Sequence, residues 1–363
     1  MALEVGILGL PNVGKSTLFR ALTKVQVEAA NYPFCTIDPN IGIVRIRDPR
    51  MIRLTELVSP EKIIPATLQI VDIAGLVKGA SHGEGLGNQF LSHIRQVDAV
   101  AHVVRCFEDE NVVHVDGRLD PVGDVQVIQT ELILSDLEQV ERKIGRLQRQ
   151  VKGDRALAVE LGIFERLRDH LDDGLLASKM GLRKDEKELI NELSLLTLKP
   201  YLYIANISEN GLNNPEVREQ QLRELADEEG VEVIPICAQV ESDLSEMGDD
   251  ESKLFMEELG IDSSGLDRLT HSGYRMLEQI TYFTSGKQEV RAWEIRKGST
   301  APEAAGKIHT DFEKGFIRAE VFHFDDIDQL GSESSVKDAG RWRLEGRDYV
   351  VQDGDIMHFR FNV

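Results

Sequence analysis

The sequence predicts an α/β fold with a mainly parallel sheet, followed by a smaller α+β unit at the end of the chain. In the first part, apolar runs of strand length alternate with helical stretches, as in sheets joined by helical crossovers. A long region without strand-like runs interrupts this alternation, and the last 85 residues are again rich in such runs. At 363 residues the chain exceeds a usual single core, so two or three domains are expected.

The strands of the predicted parallel sheet are short apolar runs. Leu3–Gly9 is the first, and the helical stretch Lys15–Lys24 follows it closely. The later runs are Leu68–Ile73, Asp98–Val104, Pro200–Ala205 and Val231–Cys237.

The interrupting region, residues 126–198, is predicted to be helical. Gln126–Gln150 has apolar residues close to helical spacing, and further helices are expected over 154–179 and 184–197. Nearly seventy residues without a strand favour a protruding, coiled-coil-like insertion over ordinary helices packed on the sheet.

The end of the chain is predicted to form a small α+β roll. The expected strands are Ile280–Thr284, Val290–Ile295, Phe316–Phe322 and Ile356–Phe361. Pro302–Phe312 is expected to be the only good helix, because proline suits a first helical turn. The predicted domains are therefore 1–125 with 199–278, 126–198, and 279–363.

Composition excludes several classes of protein. The net charge of −21 argues against a general DNA-coating protein. No apolar run approaches the ~20 residues that span a bilayer, and the N-terminus lacks the basic segment of a signal peptide. Cys35, Cys106 and Cys237 form neither a CxxC pair nor a Cys/His cluster, which favours reduced thiols and a cytoplasmic location over disulfides or zinc.

The strongest chemical signal is a phosphate-binding loop. The segment from Gly9 to Ser16 reads GLPNVGKS, which is the pattern G-x4-G-K-S, placed between a strand and a helix. The glycines let backbone N–H groups surround phosphate oxygens, and the helix N-terminus adds favourable partial charge. Lys15 is expected to neutralise the β- and γ-phosphates, and the Ser16 hydroxyl to bind Mg²⁺.

Two further segments fit a nucleotide site because of their order along the chain. Asp72-Ile-Ala-Gly75 ends an apolar strand, so Asp72 is expected in the Mg²⁺ shell and the Gly75 amide near the γ-phosphate. The segment beyond has four glycines in positions 79–87, which suits a loop that reorders with the nucleotide. Thr36 lies between the first helix and the next strand and is a candidate to complete the Mg²⁺ shell.

This series resembles the translation-factor class of P-loop GTPases, in which an Asn-Lys-x-Asp motif reads the base. Here the corresponding segment is Asn206-Ile207-Ser208-Glu209, so the lysine and the aspartate are both replaced. A change from aspartate to glutamate alters the paired acceptor geometry that guanine requires, which argues against strict GTP use. Cys237-Ala238, after the next strand, matches the last base-contacting loop of that class.

At full length the chain resembles the Obg-like ATPases, the YchF group. The resemblance rests on the phosphate loop and on NYPFCTIDPN, DIAGLVKGASHGEGLGN, RCFEDENVVHV and the NxxE loop. It implies a P-loop NTPase domain, the helical insertion and a C-terminal TGS domain with a ubiquitin-like β-grasp fold. It also implies ATP as the nucleotide and the ribosome or RNA as a partner, without a membrane or DNA.

The resemblance also implies site roles by position. The triphosphate-binding residues are Asn12, Val13, Gly14, Lys15, Ser16 and Thr17. Mg²⁺ is expected on Ser16, Thr36 and Asp72, the last through water. Asn206, Ile207 and Glu209, with Cys237 and Ala238, form the base site. Asn12 either binds a K⁺ ion or only stabilises the loop.

The residue that positions the attacking water is not obvious. Leu76 occupies the place of the usual glutamine and cannot polarise water, so turnover is expected to be slow. Besides Lys15, the catalytic candidates are His114, followed by a plausible Asp-Gly hinge, and His82 in the glycine-rich segment. Each histidine also has the simpler interpretation of an ordinary structural residue.

Basic residues on one predicted helix raise the question of a nucleic-acid face. They are Arg142, Lys143, Arg146, Arg149, Lys152 and Arg155. A solvated helix face explains them equally simply, and composition alone favours that explanation. The site residues predict a slow Mg²⁺-dependent ATPase, and the resemblance to the Obg-like ATPases implies that it acts as a ribosome-associated switch. The alternatives are an Obg-type GTPase with relaxed base specificity, or an RNA- or ribosome-binding module that uses nucleotide only as a conformational ligand.

Overall fold

The computed structural model describes residues 3–24, 40–73, 86–109, 119–151 and 154–362, with the backbone alone at 86–88, 155 and 249. The chain divides into two compact units. The first unit is Met1–Gly42 with Gln69–Arg268, and the second is Ile43–Leu68 with Leu269–Val363.

The described strands, in chain order, are β1 Glu4–Leu8, β2 Ile41–Arg45, β3 Lys62–Ile64, β4 Thr67–Asp72, β5 Ala99–Arg105, β6 Tyr201–Asn206, β7 Val233–Ile236, β8 Gln279–Thr284, β9 Glu289–Arg296, β10 Phe316–His323, β11 Arg343–Glu345 and β12 Asp355–Phe361. The described α-helices are α1 Lys15–Lys24, α2 Pro49–Val58, α3 Leu86–Gln96, α4 Pro121–Gln150, α5 Arg155–Asp172, α6 Lys184–Asn191, α7 Val217–Glu229, α8 Ala238–Leu244, α9 Asp249–Leu259, α10 Gly265–Met276, α11 Ala301–Ile308, α12 Thr310–Lys314, α13 Phe324–Leu330 and α14 Glu333–Asp338. Every one of these helices is too short or too polar to cross a bilayer.

The first unit is built on strands in the order β4-β1-β5-β6-β7. The strands from β4 to β7 in this order are parallel to one another. β5 is buried along its whole length, which explains its continuous apolar sequence. Because parallel strands end at the same edge, the loops after β1, β4, β6 and β7 all leave the sheet on one side.

The predicted helical insertion is continuous with this sheet. The first half of α4 buries Val125 against Val104 and Tyr203 of the sheet, while its second half packs Ile144 against Phe164 of α5. The first half of this helix of 30 residues thus packs on the sheet, and its second half packs on α5, while a protruding insertion stays a prediction. α5 ends at Asp172 and α6 at Asn191, earlier than predicted, and positive φ angles at Gly174 and Ser194 follow these ends.

A buried carboxylate closes the insertion where the chain returns to β6. Asp136 of α4 is fully buried and accepts hydrogen bonds from the backbone N–H groups of Leu196 and Thr197, at 2.9 and 2.8 Å. The Thr197 hydroxyl adds a third bond of 2.7 Å. Burial raises the pKa of Asp136, which makes these donors necessary to hold the charge.

The second unit is a mixed sheet of order β11-β10-β12-β8-β9-β3 covered by short helices. The prediction of Pro302–Phe312 as the only good helix is wrong, since the described part of this region contains α11, α12, α13 and α14. Extended backbone at His309, with φ −161°, ends α11, and the His309 ring then accepts from the N–H of Asp311 to begin α12.

Residues 43–68 belong to the second unit, although the predicted boundaries assign them to the nucleotide-binding domain. β3 pairs in parallel with β9, and Met51 and Leu54 of α2 join a core that includes Phe283 and Phe322. The α/β part, the helical region and the C-terminal α+β unit of the predicted fold are confirmed. The division into 1–125 with 199–278, 126–198 and 279–363 stays a prediction.

Candidate nucleotide-binding site

The loop between β1 and α1 has a backbone that depends on its glycines. Asn12 and Gly14 have φ angles of 65° and 92°, a region that favours glycine. A Cβ on Gly14 would lie 2.1 Å from Nδ2 of Asn206, and one on Gly9 would lie 2.7 Å from the carbonyl oxygen of Val103. Alanine therefore does not fit at Gly9 without a shift of the β5 backbone, nor at Gly14 without displacing the Asn206 side chain.

Lys15 is the first residue of α1, and its ammonium contacts Oδ1 of Asp72 at the end of β4. Parallel pairing of β1 with β4 places Asp72 opposite Ile7, which brings the carboxylate to the phosphate loop. Lys15 is 9% exposed, so its charge is largely shielded from water. The structure thus joins two predicted site residues that are far apart in sequence.

The residues at this edge fit a Mg²⁺ ion. Ser16 is exposed next to Lys15, and the Asp72 side chain keeps 22% exposure. A hydroxyl and a carboxylate are the oxygen donors that Mg²⁺ prefers. Bound there with a triphosphate, the ion would neutralise charge on the phosphate oxygens.

Asn206 connects the phosphate loop to the two predicted base loops. Its Nδ2 donates to the carbonyl oxygen of Val13 at 2.8 Å, and its Oδ1 accepts from the N–H of Ala238 at 3.1 Å. The residue is 4% exposed, and its own carbonyl oxygen accepts from the N–H of Cys106 at 2.8 Å. The structure therefore brings Val13, Asn206 and Ala238 together, as a common site requires.

Ile207 does not offer its side chain to a ligand. The side chain is 2% exposed in a core cluster with Val104, Cys106 and Leu222. Its N–H donates to the carbonyl oxygen of Ile236 at 2.9 Å. A lysine in this place would bury an ammonium among apolar groups, so the usual guanine-reading motif does not fit this loop.

Glu209 and Cys237 differ in exposure. Glu209 is exposed at the start of the 3-10 turn Asn210–Leu212. Cys237 is 5% exposed, and burial raises the pKa of its thiol, so the thiol stays protonated and unreactive. Any base contact of the second loop therefore comes from the backbone of Cys237 or from Ala238.

Arg105 is a residue of this region that sequence reasoning missed. It ends β5, is 2% exposed, and donates from its guanidinium to the carbonyl oxygens of Phe107 and Asp109, both at 3.2 Å. It also stacks on the Phe107 ring at 4.6 Å. Arg105 thus shapes the start of the segment that leads to His114. A charged residue closing an apolar strand was the available signal.

Several predicted site residues lie outside the described residues. They are Thr36, Gly75, Leu76, His82 and His114. Their roles in the metal shell, at the γ-phosphate and in catalysis stay predictions.

The basic face predicted on α4 is partly neutralised within the insertion. Lys143 contacts Glu160 at 2.7 Å, and Arg142 lies 3.5 Å from Glu138 on the same helix. Arg149 donates to the carbonyl oxygen of Gly145 at 2.9 Å. These contacts favour the solvated-face interpretation for this part of the helix.

Comparison with known proteins agrees with this geometry. Residues 4–138 match the family described as 50S ribosome-binding GTPase, and residues 279–362 match the YchF GTPase C-terminal family, described as a protein of unknown function. The proteins named ribosome-binding ATPase YchF from Haemophilus influenzae and Bacillus subtilis are 54% and 52% identical, each over the full length of both chains.

A solved structure agrees as well. The Schizosaccharomyces pombe YchF GTPase superimposes with a TM-score of 0.90 at 40% identity, covering 99% of this chain and 97% of that one. The fold class predicted from the sequence is thereby confirmed as a P-loop G domain with a C-terminal YchF domain. With relatives this similar over the whole chain, the protein belongs to the YchF family.

Proposed function

We propose that this chain is a Mg²⁺-dependent ATPase that acts in the cytoplasm as a slow nucleotide switch on the ribosome. Lys15, Ser16 and Asp72 provide the charge and oxygen donors for a metal-bound triphosphate. The ribosome is proposed as the partner because the relatives are named ribosome-binding ATPases. The TGS character of the C-terminal unit and a K⁺ ion at Asn12 belong to the same proposal.

The base loop carries the preference for ATP in this proposal. The N–H of Ile207 donates to Ile236 and its side chain is buried, so in this proposal adenine meets its carbonyl oxygen. A carbonyl accepts from the 6-amino group of adenine and repels the O6 of guanine. Glu209 is one methylene longer than the aspartate that pairs with guanine and is exposed. The same edge of the sheet therefore lacks the features that select GTP.

The alternative of a GTPase with relaxed base specificity is tested by competition. ATP and GTP would each displace a fluorescent adenine nucleotide at saturating Mg²⁺, followed by turnover in K⁺ and in Na⁺. We expect ATP to bind at least about tenfold more tightly, since a mismatched buried polar edge is costly. Equal or tighter GTP binding would contradict the proposal and indicate an unusual Obg-type GTPase.

The alternative of a nucleotide-gated binding module needs a second experiment. Lys15→Ala removes the phosphate-binding ammonium while leaving the base loops unchanged. Ribosome co-sedimentation and turnover are compared between this variant and the wild type. If ribosome binding and its nucleotide dependence both survive without turnover, hydrolysis is not the function.

A further inference from the structure

Glu241 is a buried carboxylate that α8 presents to the first turn of α10. It is 3% exposed, and its two oxygens accept from the backbone N–H groups of Gly265 at 2.6 Å and Leu266 at 3.3 Å. The Ser264 hydroxyl accepts from the following N–H, that of Asp267, at 3.0 Å. Together they satisfy donors that a helix start leaves without partners inside the helix.

The approach of the two helices depends on glycine. A Cβ on Gly265 would lie 2.9 Å from Oε1 of Glu241 and 3.0 Å from two carbons of the Ile236 side chain. The residues that come together here belong to the end of β7, the first turn of α8 and the start of α10. This joint lies within the first unit.

A second contact fixes α10 on the other side of the loop 237–238. Nη2 of Arg268 donates to the carbonyl oxygen of Pro235 at 2.8 Å. Nε of the same guanidinium is buried without a hydrogen-bond partner among the described residues. This arrangement of Arg268 therefore costs desolvation free energy. Pro235 precedes the loop and Glu241 follows it, so α10 forms hydrogen bonds on both sides of the loop.

A chain of three hydrogen bonds connects the contact between α8 and α10 to the nucleotide site. The N–H of Glu241 donates to the carbonyl oxygen of Cys237 at 3.0 Å, and the N–H of Ala238 donates to Oδ1 of Asn206. Asn206 in turn holds Val13 of the phosphate loop. The position of the loop 237–238 therefore depends on where α10 holds α8.

We propose that Glu241 is a positioning residue for base recognition, which fixes the Cys237–Ala238 loop by anchoring α8 to the start of α10. This inference rests on the proposed nucleotide-binding function. Glu241 should affect the base more than the phosphates, because it is bonded to Cys237 of the second base loop and is connected to Val13 only indirectly, through Asn206. Loss of the anchor should weaken binding of a whole nucleotide and spare binding of a triphosphate that has no base.

The test compares ATP with inorganic tripolyphosphate, both with Mg²⁺, on the full-length protein. Burial raises the pKa of Glu241 to about 7, so the measurements are made at pH 8, where the carboxylate is ionised. Glu241→Ala should raise the Kd and KM for ATP about tenfold, which corresponds to about 1.4 kcal/mol and lies within the range of stability lost with a helix-capping side chain. The Kd for tripolyphosphate and kcat should stay within about twofold.

Two variants keep this result interpretable. Glu241→Gln retains one acceptor oxygen and should recover most of the ATP affinity, whereas a general folding defect would not depend on that oxygen. Glu258→Gln, an exposed glutamate on α9, is the matched control and should change neither ligand. Equal losses of ATP and tripolyphosphate binding, or no loss of either, would overturn the inference.

The outcome is separable from that of the proposed function. If the wild type prefers GTP, the proposed ATPase fails, and the Glu241 variants are then measured with GTP against tripolyphosphate. If the wild type prefers ATP while Glu241→Ala leaves its Kd unchanged, only the positioning role of Glu241 fails.

Discussion

The phosphate loop and the base loops of the candidate site are stabilised in different ways. The phosphate loop takes its shape from a short run of sequence, with positive φ angles at Asn12 and Gly14 and a helix that begins at Lys15. The base loops depend on contacts between residues far apart in the chain, above all those of Asn206 with Val13 and Ala238.

This difference separates binding of the triphosphate from choice of the base. Backbone N–H groups and one ammonium recognise any nucleoside triphosphate, so a local motif is sufficient for affinity. Base choice requires polar groups at defined positions, and here those positions depend on α8, α10 and β6. Substitutions within the phosphate loop should therefore abolish binding, while those at the base loops should change it by smaller factors.

The largest effect is expected at the contact between the two kinds of loop. Gly14→Ala would place a Cβ 2.1 Å from Nδ2 of Asn206 and strain a backbone with φ 92°. Strain of this kind costs about 1–3 kcal/mol, and the displaced Asn206 adds to it. We expect ATP turnover to fall about a hundredfold, measured at saturating Mg²⁺.

Gly145→Ala is the matched control for that variant. Gly145 lies in α4, and a Cβ there would meet no atom within 4 Å. Alanine should stabilise the helix by about 0.5–1 kcal/mol and leave turnover unchanged. Wild-type turnover in Gly14→Ala would show that the phosphate loop does not depend on this glycine.

A smaller effect is expected at Asn206, which serves both loops. Asn206→Ala leaves the carbonyl oxygen of Val13 and the N–H of Ala238 without their partner in a buried place, at a cost of about 1–3 kcal/mol. ATP affinity should fall about tenfold or more by titration. Tripolyphosphate affinity should also fall, since Val13 belongs to the phosphate loop.

Asn213→Ala provides the comparison for Asn206→Ala. Asn213 also makes a long-range bond, from Nδ2 to the carbonyl oxygen of Leu259 at 2.8 Å, but it is exposed. Its loss should leave both affinities unchanged. If Asn206→Ala weakened ATP and spared tripolyphosphate, the bond to Val13 would not stabilise the phosphate loop.

The same contrast explains which features the sequence could predict. The helix Lys15–Lys24 has the predicted bounds because a glycine-rich turn and helical spacing are both local signals. The contact of Lys15 with Asp72 also follows, because both residues lie where parallel strands end. The phosphate part of the site was therefore predictable.

Features that depend on distant contacts were not predictable. Nothing local shows that Ile207 faces a core cluster, or that Glu241 reaches the start of α10. β3 has only 3 residues, one of them the exposed Ile63, and it forms a strand through pairing with β9. These positions are determined by packing between distant segments, which the periodicity of one segment does not reveal.

The smallest effect on the nucleotide site is expected at β5, the strand between those that carry the phosphate loop and the first base loop. β5 lies between β1 and β6, and its His102 is 4% exposed, with its ring centroid 5.7 Å from that of Tyr203. Burial lowers the pKa of His102 to about 3, so the folded protein holds this ring neutral. The unfolded chain takes up the proton at about pH 6.5, so stability is full above that pH and lost as the pH falls below it.

At pH 5 this difference corresponds to about 2 kcal/mol of unfolding free energy. The denaturation midpoint should therefore decrease less between pH 7 and pH 5 in His102→Leu than in the wild type. His93→Gln, an exposed histidine on α3, should keep the wild-type slope. Equal slopes in all three proteins would exclude His102 as the cause.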